Sequence, residues 1–241
     1  MQADALDYSL TSSGIVDIYQ LSASNYGDKL FIHPPIFVYT MAVLNYAFQV
    51  PLPVVSVVYH LLTAAAIVPL SYAVCESLSL STCGAGSSAA VSLWALVIYC
   101  CCPVAAFCSQ KIWIDNAASL AVTISALMHM YLVRVVHSDD CTPSASCSVR
   151  TSNIRHLLSG LVFGGIALNT KITCLALLPF LVLWSLWCTS RETLASAPRM
   201  EGWTRVVGEA AVRVACLVLG MAIGHAPWIA LYYVSHTECN R

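Results

Sequence analysis

Residues 157–187 read LLSGLVFGGIAL-NTK-ITCLALLPFLVLWSLW, and this stretch decides the fold. Two runs rich in apolar side chains flank Asn169, Thr170 and Lys171. Burying a polar group costs several kcal/mol (roughly 2–7) unless it finds a partner. Each run is shorter than the ~20 residues that cross a bilayer as a helix. They are expected to be half-length helices, or to extend into their flanks. Lys171 has two open readings: snorkelling to lipid headgroups, or holding an anion at the membrane edge. The break also frees backbone N–H groups at the start of the second piece, which favour anions. Thr170 is a candidate cap for that piece.

The composition supports a membrane setting. Of 241 residues, 59% are hydrophobic and 10% charged, against about 25% charged in a globular domain. Mean hydropathy is +0.75. A water-soluble domain this apolar would not stay in solution, so the fold class expected is all-α, a multi-span transmembrane helical bundle. The net charge of −1 points to no partner, and no basic patch suits nucleic acid. The opening, MQADALDYSLTSSG, has neither the basic nor the apolar part of a secretory signal. Most of the twelve cysteines lie in apolar runs as small hydrophobes, and their spacings suggest no zinc site.

About six to seven apolar segments follow one another: 35–50, 54–74, 89–108, 114–136, 157–168, 172–187 and 210–234, the last interrupted by Pro227. Basic residues orient them. The loop 137–156 carries Arg150 and Arg155, with Arg134 just before it, and the loop 189–208 carries Arg191, Arg199 and Arg205. The positive-inside rule makes both cytoplasmic. The break at 169–171 then falls on the lumenal face, as do Asp115 and His225-Ala-Pro-Trp228. Parity leaves His33-Pro34-Pro35 unsettled. Segment 35–50, roughly 24 Å as a helix, must be re-entrant for His33 to be lumenal. The expected organisation is a lumenal loop at 1–34, a transmembrane helical domain at 35–234 and a lumenal tail at 235–241, the chain being a piece of a longer protein.

Each polar residue has a structural and a functional reading. Asp115 begins a helix, where it can cap, offset the dipole or pair with Lys111, or else orient a loop or acceptor. His33, before two prolines, can shape a turn or contact phosphate. His225 suits an interfacial aromatic belt or a site. His60 and His129 are expected to be satisfied core histidines.

Four stretches resemble the GT-C glycosyltransferases, specifically the protein O-mannosyltransferases and the lipid A aminoarabinose transferases. They are DALDYSLTSSG followed by FIHPPIFVY, KIWIDNAASLAVTISAL, FGGIALNTKITCLALLPFLVLW, and GHAPWIALYY, in the family's order. The resemblance implies a GT-C-like bundle that takes a sugar, mannose favoured, from a polyprenyl- or dolichyl-phosphate carrier. The acceptor is a lumenal protein, lipid or glycan, and the expected location is the endoplasmic reticulum membrane. Asp4 corresponds to the family's catalytic base, with Asp115 a second catalytic candidate. Tyr8, His33, Thr170, Lys171 and His225 are substrate-binding candidates. No cofactor is required by the sequence, and whether a divalent metal takes part stays open. The family's usual acidic pair is absent, since Ala5 follows Asp4, and no spanning helix precedes that loop. The alternatives are a non-enzymatic membrane protein and a small-solute transporter, a class that also uses broken helices.

Overall fold

The computed structural model describes residues 36, 40, 43–44, 48–78, 85–103, 105, 114–133, 145–196 and 199–239. Among them every regular element is helical. The long helices are α1 (Leu52–Leu78), α2 (Ala85–Cys101), α3 (Ile114–Leu132), α4 (Ala145–Val162), α5 (Leu178–Ser196) and α6 (Arg199–Cys239). A π-helical turn, Phe163–Leu168, continues α4, and a 3-10 turn, Ile172–Leu177, leads into α5. Three helical stretches are long and apolar enough to cross a membrane: Val57–Leu78, Ile172–Thr193 and Thr204–Ala230.

The surface agrees with lipid as solvent. Leu61, Leu93, Trp94, Ile98, Leu183, Val207 and Leu219 are each more than half exposed, while His129, His156, Ser159, Ser185, Thr189 and Arg213 are buried. Helices satisfy their own backbone groups, so the polar side chains are what must be paired inside.

Contacts fix the directions. Leu70, Ala73 and Val74, late in α1, pack against Met130 and Val133, late in α3, so these helices run parallel. Tyr99, late in α2, meets His60, early in α1, so α2 returns antiparallel. Gly160 and Gly164 of α4 and its continuation face Leu217 and Met221 of α6, so those two run parallel, with α5 between them in sequence. Asp115, residues 169–171 and His225 thus share one end of the bundle, called here the break end. The backbone N–H of Ile36 donates to the Asn169 carbonyl at 3.1 Å. Ile36 and the start of α1 therefore lie at the same end.

The α4–α6 seam rests on two Gly-x-x-x-Gly pairs, Gly160/Gly164 and Gly220/Gly224. A Cβ at Gly160 would sit 2.0 Å from the Leu217 carbonyl oxygen, and one at Gly220 2.1 Å from that of Leu157. Only hydrogen fits there. Small residues at this spacing let backbones approach closely where no hydrophobic force drives helices together. An apolar core of Ala118, Ala121, Phe163, Ala167, Leu181 and Leu217 fills the middle of the bundle.

Several sequence expectations need correction. Of the two readings of the pieces beside the break, they extend into their flanks rather than staying half-length: α4 has 18 residues before its 6-residue π-helical continuation and α5 has 19 after the 3-10 turn. Arg150 and Arg155 therefore lie on α4, Arg191 on α5, and Arg199 and Arg205 on α6, rather than in loops. Helix α6 runs for 41 residues through Pro227 and on to Cys239, so no break is seen at the proline. Proline removes one backbone hydrogen bond, but the remaining turns and the packing against α4 carry the helix past it.

Candidate functional site

The break is built by its own side chains. When a helix stops, its last carbonyls lose their amide partners. Here the Asn169 Nδ2 amide donates to the Gly165 carbonyl at 3.2 Å, and the Thr170 hydroxyl donates to that of Ile166 at 2.8 Å. Such back-bonding competes with continued helix, and two consecutive glycines, Gly164 and Gly165, weaken it further. The backbone N–H groups of Thr170 and Lys171 both close onto the Ala167 carbonyl, at 3.1 and 3.0 Å. Lys171 then adopts an extended backbone, and the 3-10 turn begins with no side-chain cap. The expectation that Thr170 caps the second piece is thus overturned. Its hydroxyl is spent on the turn behind it and the residue is 1% exposed, so it serves the break rather than a ligand.

Lys171 points to α3, where its Nζ donates to Asp115 Oδ1 in an ion pair. Asp115 is thus paired with a lysine 56 positions along the chain; Lys111 lies outside the described residues. The side chains are 27% and 49% exposed, so the pair sits at the edge of the bundle and is reachable from outside. A few residues away, Asn169 is held from three directions. Its Nδ2 also donates to the Gly224 carbonyl at 3.2 Å, and its Oδ1 is 2.6 Å from His225 Nδ1. The break, the start of α3 and α6 are therefore tied together by Asn169, Lys171, Asp115 and His225. Asp4, Tyr8 and His33 lie outside the described residues.

A second polar layer lies toward the other end. His129 Nδ1 is 2.6 Å from the Ser159 hydroxyl, and its Nε2 is 3.3 Å from that of Ser185. His156 stands edge-on to it, with ring centroids 6.3 Å apart, and bonds the Ser152 carbonyl. Arg213 is 4% exposed and bonds Glu192 at 2.6 Å, Thr189 at 3.1 Å and Glu209 at 3.5 Å. His129 is thus the satisfied core histidine expected of it, and His60 is half-buried and stacked on Tyr99. From Asp115 to His129 along α3 is about 21 Å, and the apolar core fills the space between the layers. Sequence reasoning passed over Asn169 and Arg213 as site-building residues. The available signal was an amide inside an apolar run, and an arginine placed to meet Glu209 one turn earlier and Glu192 across the turn. Among the described residues no group of three or more His, Cys, Asp or Glu side chains is arranged to hold a metal ion. No protein-family model, curated protein or solved structure matches the chain.

Proposed function

We propose that the chain is a multi-pass integral-membrane glycosyltransferase. It moves a sugar, mannose favoured, from a polyprenyl- or dolichyl-phosphate carrier to a lumenal protein, lipid or glycan, in the endoplasmic reticulum membrane. The observation that carries this reading is the break-end cluster: a reachable lysine, held by Asp115, at a helix break on the edge of an apolar bundle. That is where the phosphate of a lipid carrier lies when its chain is in the bilayer. The GT-C resemblance supplies the reaction. The acceptor hydroxyl gives its proton to Asp4, its oxygen bonds to the sugar C1, and the C1–O bond to phosphate breaks. The electron pair leaves on the phosphate, whose charge rises. Lys171 exchanges its bond to Asp115 for one to that phosphate, a fixed cation placed where charge develops. Asp115 keeps the lysine extended toward the edge when no donor is bound.

The transporter reading draws less support. The two polar layers are separated by the apolar core around Phe163, Leu181 and Leu217, each fully buried. That favours chemistry at one end over a path through the bundle.

The test is a transfer assay on membranes expressing the chain, with labelled dolichyl-phosphate mannose and glucose. Asp4→Asn is expected to abolish transfer at unchanged abundance. Lys171→Ala is expected to lower kcat/KM by about 10²-fold or more, with part of the loss relieved by more donor. A folded, abundant wild type that transfers from neither donor would refute the proposal.

A further inference from the structure

The hydrogen bonds around Asn169 fix the tautomer of the neutral His225 ring. The Asn169 amide has one donor end and one acceptor end. Its Nδ2 lies 3.2 Å from the Gly165 carbonyl oxygen and 3.2 Å from the Gly224 carbonyl oxygen. Carbonyl oxygens only accept, so the NH2 group must occupy that position, and both its hydrogens are used. The remaining atom, Oδ1, can only accept, and it faces His225 Nδ1 at 2.6 Å. His225 therefore carries its proton on Nδ1, and the lone pair of the neutral ring is on Nε2. Asn169 is 8% exposed and anchored by backbone of both α4's continuation and α6, so this is a rigid support. The ring of His225 is half-buried, and Nε2 has no hydrogen-bond partner among the described residues. The same asparagine is two residues from Lys171, which meets Asp115.

We infer that His225 Nε2 accepts a hydrogen bond from a hydroxyl group of the sugar-bearing substrate, and that Asn169 is the positioning residue that makes it an acceptor. This rests on the transferase reading and adds a recognition element to it. The proton-abstracting role stays with Asp4. A ring held in the other tautomer would present an N–H there and would favour a carboxylate or phosphate instead.

Two measurements test it. Nitrogen-15 NMR of histidine-labelled protein in micelles, with the His225 signals assigned by their loss in His225→Asn, reports the tautomer without any substrate. Protonated Nδ1 and bare Nε2 are expected; a bare Nδ1 overturns the inference. The second measurement is transfer by His225→Asn and His225→Gln. An asparagine amide overlays the Nδ1 side of the ring and keeps the bond to Asn169, while a glutamine carbonyl can replace Nε2. A purely bracing histidine tolerates Asn. A substrate-binding Nε2 does not, and His225→Asn is expected to lose about tenfold in kcat/KM, mostly in KM, with His225→Gln nearer the wild type. Cys174, 4% exposed beside the break, should stay protected from maleimide in both variants, which separates lost recognition from lost fold. An active wild type matched by His225→Asn overturns this inference alone. A folded wild type inactive with both donors overturns the transferase reading and the substrate hydroxyl with it.

Discussion

Replacing Gly164 by alanine tests the seam that holds the site together. The added Cβ would lie 2.1 Å from the Met221 carbonyl oxygen and 2.8 Å from its carbon, both backbone atoms that cannot rotate away. Ordinary contact begins near 3.4 Å, so α6 has to retreat by about 1.3 Å. A shift of that size carried along α6 takes the 3.2 Å bond from Asn169 to the Gly224 carbonyl beyond hydrogen-bonding range, and stretches the 2.6 Å bond to His225. Overpacking costs about 1–3 kcal/mol, and each lost hydrogen bond about 0.5–1.5 kcal/mol. The better helix propensity of alanine returns at most ~1 kcal/mol. The expected net destabilisation is about 1–4 kcal/mol. Two other glycines serve as controls. A Cβ at Gly165 comes no nearer than 3.9 Å to anything, and one at Gly208 meets nothing within 4 Å. Both alanine variants should lie within about 1 kcal/mol of the wild type or be slightly more stable. Reversible unfolding in mixed micelles, followed by maleimide labelling of Cys174 and Cys188, measures all three. Gly164→Ala no less stable than Gly165→Ala would refute the close-approach argument.

Other perturbations separate stability from function. Asp115→Asn and Lys171→Met should each change unfolding free energy by less than about 1 kcal/mol, because the pair is partly exposed; larger losses in the same assay would make the pair a structural brace. Arg213→Leu strips the cation from Glu192 and Glu209 and should cost about 3 kcal/mol or more, with much of it recovered when both glutamates are changed to glutamine; an unchanged unfolding midpoint would remove the arginine from the list of anchors. Ser159→Ala leaves buried His129 Nδ1 without its partner and should cost about 1–3 kcal/mol. Hydrogen exchange of α3 and α4 amides checks this, and unaltered protection would show that another group takes the serine's place.

Much of the architecture was legible in the chain because lipid imposes simple demands. Apolar runs of sufficient length must be helices, so α1, α2, α3 and α6 were recognisable within a few residues at most of their ends. Helix ends were less legible where polar turns continue past the apolar run, as with Ala145–Arg155 and Arg199–Gly208. Such turns lower the local hydropathy without interrupting backbone hydrogen bonds. Pro227 misled for a similar reason: one missing amide is a small defect in 41 residues. Of the site, Lys171, Asp115 and His225 stood out as polar groups near one face. Asn169 stood with them, but its role did not show, because that role comes from three partners, Gly165, Gly224 and His225, two of which are more than 50 positions away.

The sequence by itself determined that this chain is helical and apolar-faced, and where its polar interruptions fall. Burial cost and helical period act locally, so they can be read from a short window. The tertiary structure alone decided which interruptions meet. That Lys171 takes Asp115 follows from α3 lying beside the break, and that Asn169 holds His225 in one tautomer follows from the α4–α6 seam. There two pairs of glycines let backbones touch, and the contact sets the register that brings Gly224 and His225 to Asn169.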